Sequence, residues 1–121
     1  MPLSEEEAAT KATLANAILN VCTDDWYGLW EIRDEAATAL QREPDAAFRE
    51  ALRDQLAQMM GEDLLRASLW SDGPPQPLSV DYLRNLPIDS VLWESPGITN
   101  ADEQIRVTST DAGDRAYFGT A

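Results

Sequence analysis

Three prolines in four residues, Pro74-Pro75-Gln76-Pro77, follow Ser71-Asp72-Gly73 and set the strongest local constraint on this chain. Proline gives no amide hydrogen and holds φ at about −65°, so no helix runs through these positions and an extended connection is favoured. Length and charge make this a loop inside one domain. The chain has 121 residues, 44% of them hydrophobic, which suffices for one sizeable core. Its acidic excess is shared by the two halves: residues 1–60 hold 12 acidic and 5 basic side chains, residues 61–121 hold 10 and 4. There is no internal repeat, low-complexity run or separable acidic tail, and residues 1–121 are read as a single domain.

Before the breaker, three helices are expected. Ser4 with Glu7 fits a capping box, and the run Glu5-Glu6-Glu7 suits the positive end of a helix dipole. A first helix over residues 5–22 follows, with Leu14, Ile18, Val21 and Cys22 on its apolar face. Thr23-Asp24-Asp25 breaks that pattern and offers N-caps. The second helix is expected over 26–41, because Leu29, Ile32, Ala36, Ala39 and Leu40 fall within about 100° of one another. Pro44 ends it. Asp45 caps a third helix whose stripe is Phe48, Leu52, Leu56 and Met59, with Gly61 expected as the residue that closes it.

Around and beyond the breaker the pattern changes. Residues 63–70 are expected to form a strand, mainly by position. Ser79 can cap a short helix over 80–85, stopped before Pro87. Gln104-Ile105-Arg106-Val107-Thr108-Ser109-Thr110 alternates polar and apolar residues and is β-branched, as a half-buried strand should be. A terminal helix over 111–118 would be capped by Thr110. The fold class is therefore α+β and mostly helical, with Leu14, Ile18, Leu29, Ile32, Leu40, Phe48, Leu52, Leu56, Leu64, Val107 and Phe118 in one core. A four-helix bundle is the alternative if residues 64–70 do not pair.

The order of these elements, three helices, strand, intervening segment, strand and short helix, resembles that of a winged-helix domain. Leu52-xx-Gln55-Leu56-xx-Met59-Met60-Gly61-xx-Leu64-Leu65 looks like a recognition helix leading into the first wing strand. Ile105 to Gly113 is similar to the closing strand of such domains, where a threonine followed by a glycine starts the last helix. Asp25-Trp26-xx-Leu29-Trp30-Glu31-Ile32 resembles the opening of small actinobacterial winged-helix-like proteins with no assigned activity. Residues 71–104 depart from the pattern, since a typical wing is a short hairpin. The resemblance implies a fold and leaves DNA binding open.

Charge bears most directly on function. With 22 Asp and Glu against 9 Lys and Arg, the formal charge is −13 and the pI about 4.1. Duplex binding draws its affinity from Lys and Arg that neutralise phosphates, so nucleic acid is a disfavoured partner. On the third helix Arg49 and Arg53 lie about 100–140° from Phe48, whereas Glu50 and Asp54 lie about 200–240° away, where they would meet phosphate repulsion. A regulator concentrating Arg42, Arg49 and Arg53 on one strip is the alternative. The plainer expectation is that Arg49 and Arg53 pair with neighbouring acids.

Chemistry is similarly restricted. The chain has no His and one Cys, which removes the commonest general base and metal ligand and any internal disulfide. The scattered glycines form no phosphate loop or nucleophile elbow. No catalytic, cofactor or metal site is expected, and Cys22 reads as an inert buried thiol. No stretch reaches the roughly 18 apolar residues of a membrane span, and the acidic start lacks a signal-peptide pattern. A cytoplasmic protein is expected, without membrane association.

What remains is interaction. Glu31, Asp34 and Glu35 form a carboxylate cluster at i, i+3 and i+4 on the solvent side of the second helix, either a solvated face or a patch for a basic protein surface. Trp30 lies about 130° from the centre of that helix's apolar stripe. It is covered by the first helix or by residues 71–104, or it marks a partner surface. Trp26, Trp70 and Trp93 read as core or its margin. The aromatic-rich second helix suggests a homodimer. The leading expectation is a non-catalytic interaction module for a basic partner, a class that includes DNA mimics, antitoxins and immunity proteins.

Overall fold

The computed structural model describes residues 5–23, 25–71, 73–93 and 103–118. It is an α+β fold, about half helical, with a four-stranded antiparallel sheet. Helix α1 spans Glu5–Cys22, as its periodicity predicts, and buries Leu14, Ile18, Leu19 and Cys22. Burial in apolar surroundings pushes the Cys22 thiol up to about 12, so it stays protonated and unreactive near neutral pH. The expected Ser4–Glu7 capping box lies outside the described residues.

The second helix begins later than expected. Tyr27–Gly28 forms a short strand, β1, and helix α2 runs Leu29–Ala39. The main chain of 27–28 pairs with a strand near the other end of the sequence, a contact that local periodicity does not encode. Asp25 accepts the Trp26 N–H at 2.7 Å and does not cap the helix. The N-cap is Gly28, whose N–H donates to Glu31 Oε1 at 3.2 Å, supplying half of a capping box.

Both long central helices stop in the same way. At the end of α2, Arg42 N–H donates to Ala37 O at 2.9 Å and Gln41 N–H to Thr38 O at 3.1 Å, a Schellman motif that places Gln41 at φ 54°. Helix α3, Ala46–Gly61, starts on Asp45, whose carboxylate accepts the Phe48 N–H at 2.9 Å. It ends with Leu64 N–H on Met59 O at 2.9 Å and Asp63 N–H on Met60 O at 3.1 Å. The left-handed residue here is Asp63, at φ 59°, and not Gly61, which is still helical. Aspartate tolerates this conformation better than most side chains.

Strand β2, Leu65–Trp70, pairs antiparallel with β4, Gln104–Ser109, and the sheet order is β1-β4-β2-β3. This pairing excludes the four-helix alternative. Leu65 and Ala67 lie opposite Ser109 and Val107, so Leu65, Ala67, Ile105 and Val107 share the buried face, while Arg66, Trp70, Arg106 and Thr108 share the other. The proline segment is not loop throughout. Gln76–Pro77 forms β3 on the sheet edge, with Leu78 N–H on Ala67 O at 2.9 Å. Because Leu78 points its amide at β2, Pro77 points outward, where a missing N–H leaves no gap in the ladder.

Residues 78–93 fold back over the helices. Helix α4, Val80–Arg84, is capped by Ser79, whose hydroxyl accepts the Tyr82 N–H at 3.1 Å, and packs against α3. A 3-10 turn, Val91–Trp93, packs against α2. This segment places Leu83, Leu86 and Trp93 in the core, each burial being worth about 1.5–3 kcal/mol. The Trp93 indole donates to Pro87 O at 3.0 Å. Of the expected core, Leu40 and Leu64 are only half-buried against it, and the Phe118 side chain lies outside the described residues. Among the described residues no helix is long and apolar enough to cross a membrane.

Thr110 joins the start of β2 and the end of β4, which lie side by side, to helix α5, Asp111–Phe118. Its hydroxyl accepts the Gly113 N–H at 3.0 Å and donates to Asp63 O at 2.5 Å, while its own N–H donates to Leu64 O at 3.0 Å. Ser109 Oγ donates to the Asp114 carboxylate. A Cβ on Gly113 would sit 2.1 Å from Leu64 O, a main-chain atom that cannot step aside.

Gly113→Ala is therefore expected to lower stability by about 2 kcal/mol or more, since relief requires lifting α5 from the start of β2. Gln41→Gly is expected to act in the opposite direction, raising stability by about 0.5–1 kcal/mol through relief of the left-handed residue. Urea unfolding of both variants, with unchanged slope and shifted midpoint, checks the pair.

Candidate functional site

The carboxylates of α2 do not act as one patch. Glu31 and Glu35, one turn apart, line a small polar groove between α1 and α2 together with Asn20, Val21 and Tyr27, with a volume of about 270 Å³. Glu31 is half-buried and already accepts the Gly28 N–H, so it is held in place by the helix start that it caps. Glu35 is exposed. Asp34 turns away: its carboxylate accepts Arg33 Nε at 3.0 Å. Asn20 and Tyr27 were not among the expected site residues. Tyr27 was assigned to a helix, where it would have pointed elsewhere; Asn20 carried no signal beyond lying on the polar side of α1.

Trp30 is half-buried, and its indole is folded back over the helix start. A Cβ at Gly28 would meet Trp30 Nε1 at 2.8 Å, so glycine leaves the space that the indole occupies. The other tryptophans divide into two groups. Trp93 is fully buried, whereas Trp26 and Trp70 meet edge to face, their ring centroids 5.9 Å apart. Arg106 lies over Trp70 with its guanidinium carbon 4.8 Å from the ring centroid.

The arginines explain why the surface is so acidic. Arg33 donates through Nη1 to Trp93 O at 2.7 Å, and Arg53 donates through Nη1 to Leu86 O at 3.1 Å. Each also donates Nε to the aspartate that follows it, Arg53 to Asp54 at 3.1 Å. Arg42 lies over Phe48 at 5.5 Å. Arg33 and Arg53 are thus committed to main-chain carbonyls and adjacent carboxylates, whereas the ring contact leaves the Arg42 N–H donors without an acceptor among the described residues. Glu35, Glu43, Glu50, Glu62, Asp63, Asp89, Glu103 and Asp111 are all exposed, with no side-chain hydrogen bond or ion pair among the described residues.

The basic strip of α3 is engaged as well. Arg53 and Ala57 share the side of α3 that meets the 78–86 segment; Ala57 is buried and Arg53 holds Leu86 O. Arg49 has a buried Nε without a hydrogen-bond partner, and does not form the ion pair expected for it. Arg53 pairs with its neighbour Asp54, not across a helical turn. Among the described residues no group of three or more potential ligands could hold a metal ion.

No family model matches the chain, and neither the curated proteins nor the solved structures contain a significant match to it.

Arg53→Met preserves much of the apolar stem and removes the guanidinium. It is expected to leave Leu86 O without its donor and to cost about 1.5–3 kcal/mol, the usual range for a hydrogen bond to a charged group. Amide exchange at Leu83, Asn85 and Leu86 should accelerate more than exchange in α3, which places the effect in the covering segment.

Proposed function

We propose that this chain is a non-catalytic protein-interaction module on a winged-helix-like scaffold, whose acidic surface binds a basic protein partner. The observation that carries the proposal is the unequal use of charge. Arg33 and Arg53 hold the main chain together, while exposed carboxylates on α2, α3 and the intervening turns have no cationic partner among the described residues. A basic partner entering that field is attracted from a distance and loses the attraction as salt rises. Glu35, backed by Glu31 in the groove beside Tyr27, is the anchor for a Lys or Arg side chain. DNA mimicry, an antitoxin-like role and an immunity-like role all belong to this class. A cytoplasmic setting fits the acidic, cysteine-poor composition, and a homodimer presenting two such faces extends the same reading.

The winged-helix-like reading is supported by the element order and by β1 joining β4 beside the β2–β4 pair. The alternative, a transcription regulator using α3, draws on the same scaffold. It is disfavoured by Arg53 being tied to Leu86 O and by α4 lying against α3.

The test is capture of partners from the native host at low and high salt, alongside binding to random duplex DNA. The expected outcome is a basic protein whose capture falls with salt and with Glu31→Gln plus Glu35→Gln. Asp34→Asn should have less effect, because Asp34 already serves Arg33. Glutamine at position 31 still accepts the Gly28 N–H, so the double variant removes charge and retains the cap. Duplex binding with a steep salt slope, abolished by Arg42→Ala plus Arg49→Ala, would support the regulator and overturn the proposal.

A further inference from the structure

The cleft between α1, the turn after α2 and α3 has a volume of about 200 Å³. Leu14, Leu40 and Phe48 give it an apolar lining. A dry apolar cavity of about 150 Å³ can hold a benzene ring, so this cleft has room for a ring-sized body and a small head group.

Two polar groups distinguish it from a packing defect. Gln55 lines the cleft, is only 7% exposed, and its amide makes no hydrogen bond among the described residues. The amide is reached by solvent only through the cleft, so a guest that fills the cleft must replace that solvent with a hydrogen bond of its own. Arg42, the second group, stands exposed at the edge of the cleft with its guanidinium over the Phe48 ring and no carboxylate partner among the described residues. In a chain of net charge −13, Arg42 brings a positive charge to an apolar opening. The carboxylate lining the same cleft, Asp54, is already matched by Arg53 Nε.

We propose that this cleft binds a small hydrophobic monocarboxylate. The apolar body lies against Leu14, Leu40 and Phe48. Its carboxylate takes the donors that the protein leaves unused, the Arg42 guanidinium and the Gln55 amide. The guanidinium selects an anion over an alcohol or an amine, because only an anion gains a charge-assisted hydrogen bond there. Gln55 in turn discriminates against a purely apolar guest, which would leave its amide unsatisfied. The site lies apart from the Glu31–Glu35 groove and does not depend on the partner reading.

The full chain, labelled with 15N, is titrated at constant ionic strength with sodium benzoate and, in parallel, with benzyl alcohol and benzylamine. Benzoate is expected to shift the Gln55 side-chain amide and the main-chain amides around Arg42 and Phe48 in a saturable way. It should bind more tightly than either of the other two compounds. Arg42→Gln and Gln55→Leu should each weaken benzoate about tenfold, the loss expected for one charge-assisted or buried hydrogen bond. Arg42→Gln should leave benzyl alcohol unchanged. Equal binding of all three compounds, or benzoate binding indifferent to Arg42→Gln, would reduce the cleft to a nonspecific apolar hollow and overturn the proposal. The absence of saturable shifts around Gln55 would overturn it too. Arg42 is exposed, and the same spectra report whether each variant is folded.

Discussion

Among the described residues a guanidinium donates to a main-chain carbonyl twice, and the seating of the segment after α4 on the helices draws on both instances. Arg53 on α3 holds Leu86 O, and Arg33 on α2 holds Trp93 O. Leu86 and Trp93 bracket the stretch that follows α4, so the two contacts fasten its ends to different helices. The aspartate next to each arginine accepts a hydrogen bond from its Nε–H and limits the cost of placing a cation against the protein surface. With the segment fastened, Leu83, Leu86 and Trp93 reach the core. Without it, the apolar sides of α2 and α3 that they cover would face water.

The same contacts settle how charge is distributed. A composition of 22 acids and 9 bases does not by itself make a surface uniformly negative, since a few arginines in one place can create a basic strip. Here Arg33 and Arg53 face inward onto residues 86–93, and Arg106 and Arg42 lie over aromatic rings. Structural use of these four cations leaves the exposed carboxylates to outnumber the exposed arginines, Arg66, Arg84 and Arg115 among them, in the field that an approaching molecule meets.

Much of the fold was legible from sequence because it depends on local rules. The stripe Phe48, Leu52, Leu56, Met59, the caps Asp45 and Ser79, and the alternation of residues 104–109 each specify an element without reference to the remainder of the chain. Thr110 followed by Gly113 was equally readable as a helix start, although the reason for the glycine, the closeness of Leu64 O, is tertiary. What was misread depends on distant partners. Tyr27 and Gly28 left the helical pattern because β4 offered main-chain hydrogen bonds, and Gln76–Pro77 became a strand because β2 lay alongside. The Schellman turn after α3 fell on Asp63 because helix length, set by packing, put an aspartate where glycine is the usual choice. At the candidate site, the sign of the surface was clear, but the roles of its members were not. Glu31 is a cap, Asp34 an arginine partner and Glu35 a free carboxylate, three environments that spacing alone could not distinguish. Gln55 was invisible as a feature because the cleft that it lines is completed by Leu14 and Leu40, which are distant in sequence.

Pro77 has a consequence for behaviour at high concentration. An exposed sheet edge is a template onto which a strand from another molecule can add, and the addition can repeat until chains polymerise. On the β3 side, the outward-facing position of a two-residue strand is occupied by a ring nitrogen with no hydrogen to donate. An incoming strand would find too short a template there, and one of its carbonyls would face that nitrogen without a donor. The residue that interrupts helix in the middle of the sequence thus also terminates the sheet in space, giving the chain a built-in barrier to strand-by-strand aggregation along that edge.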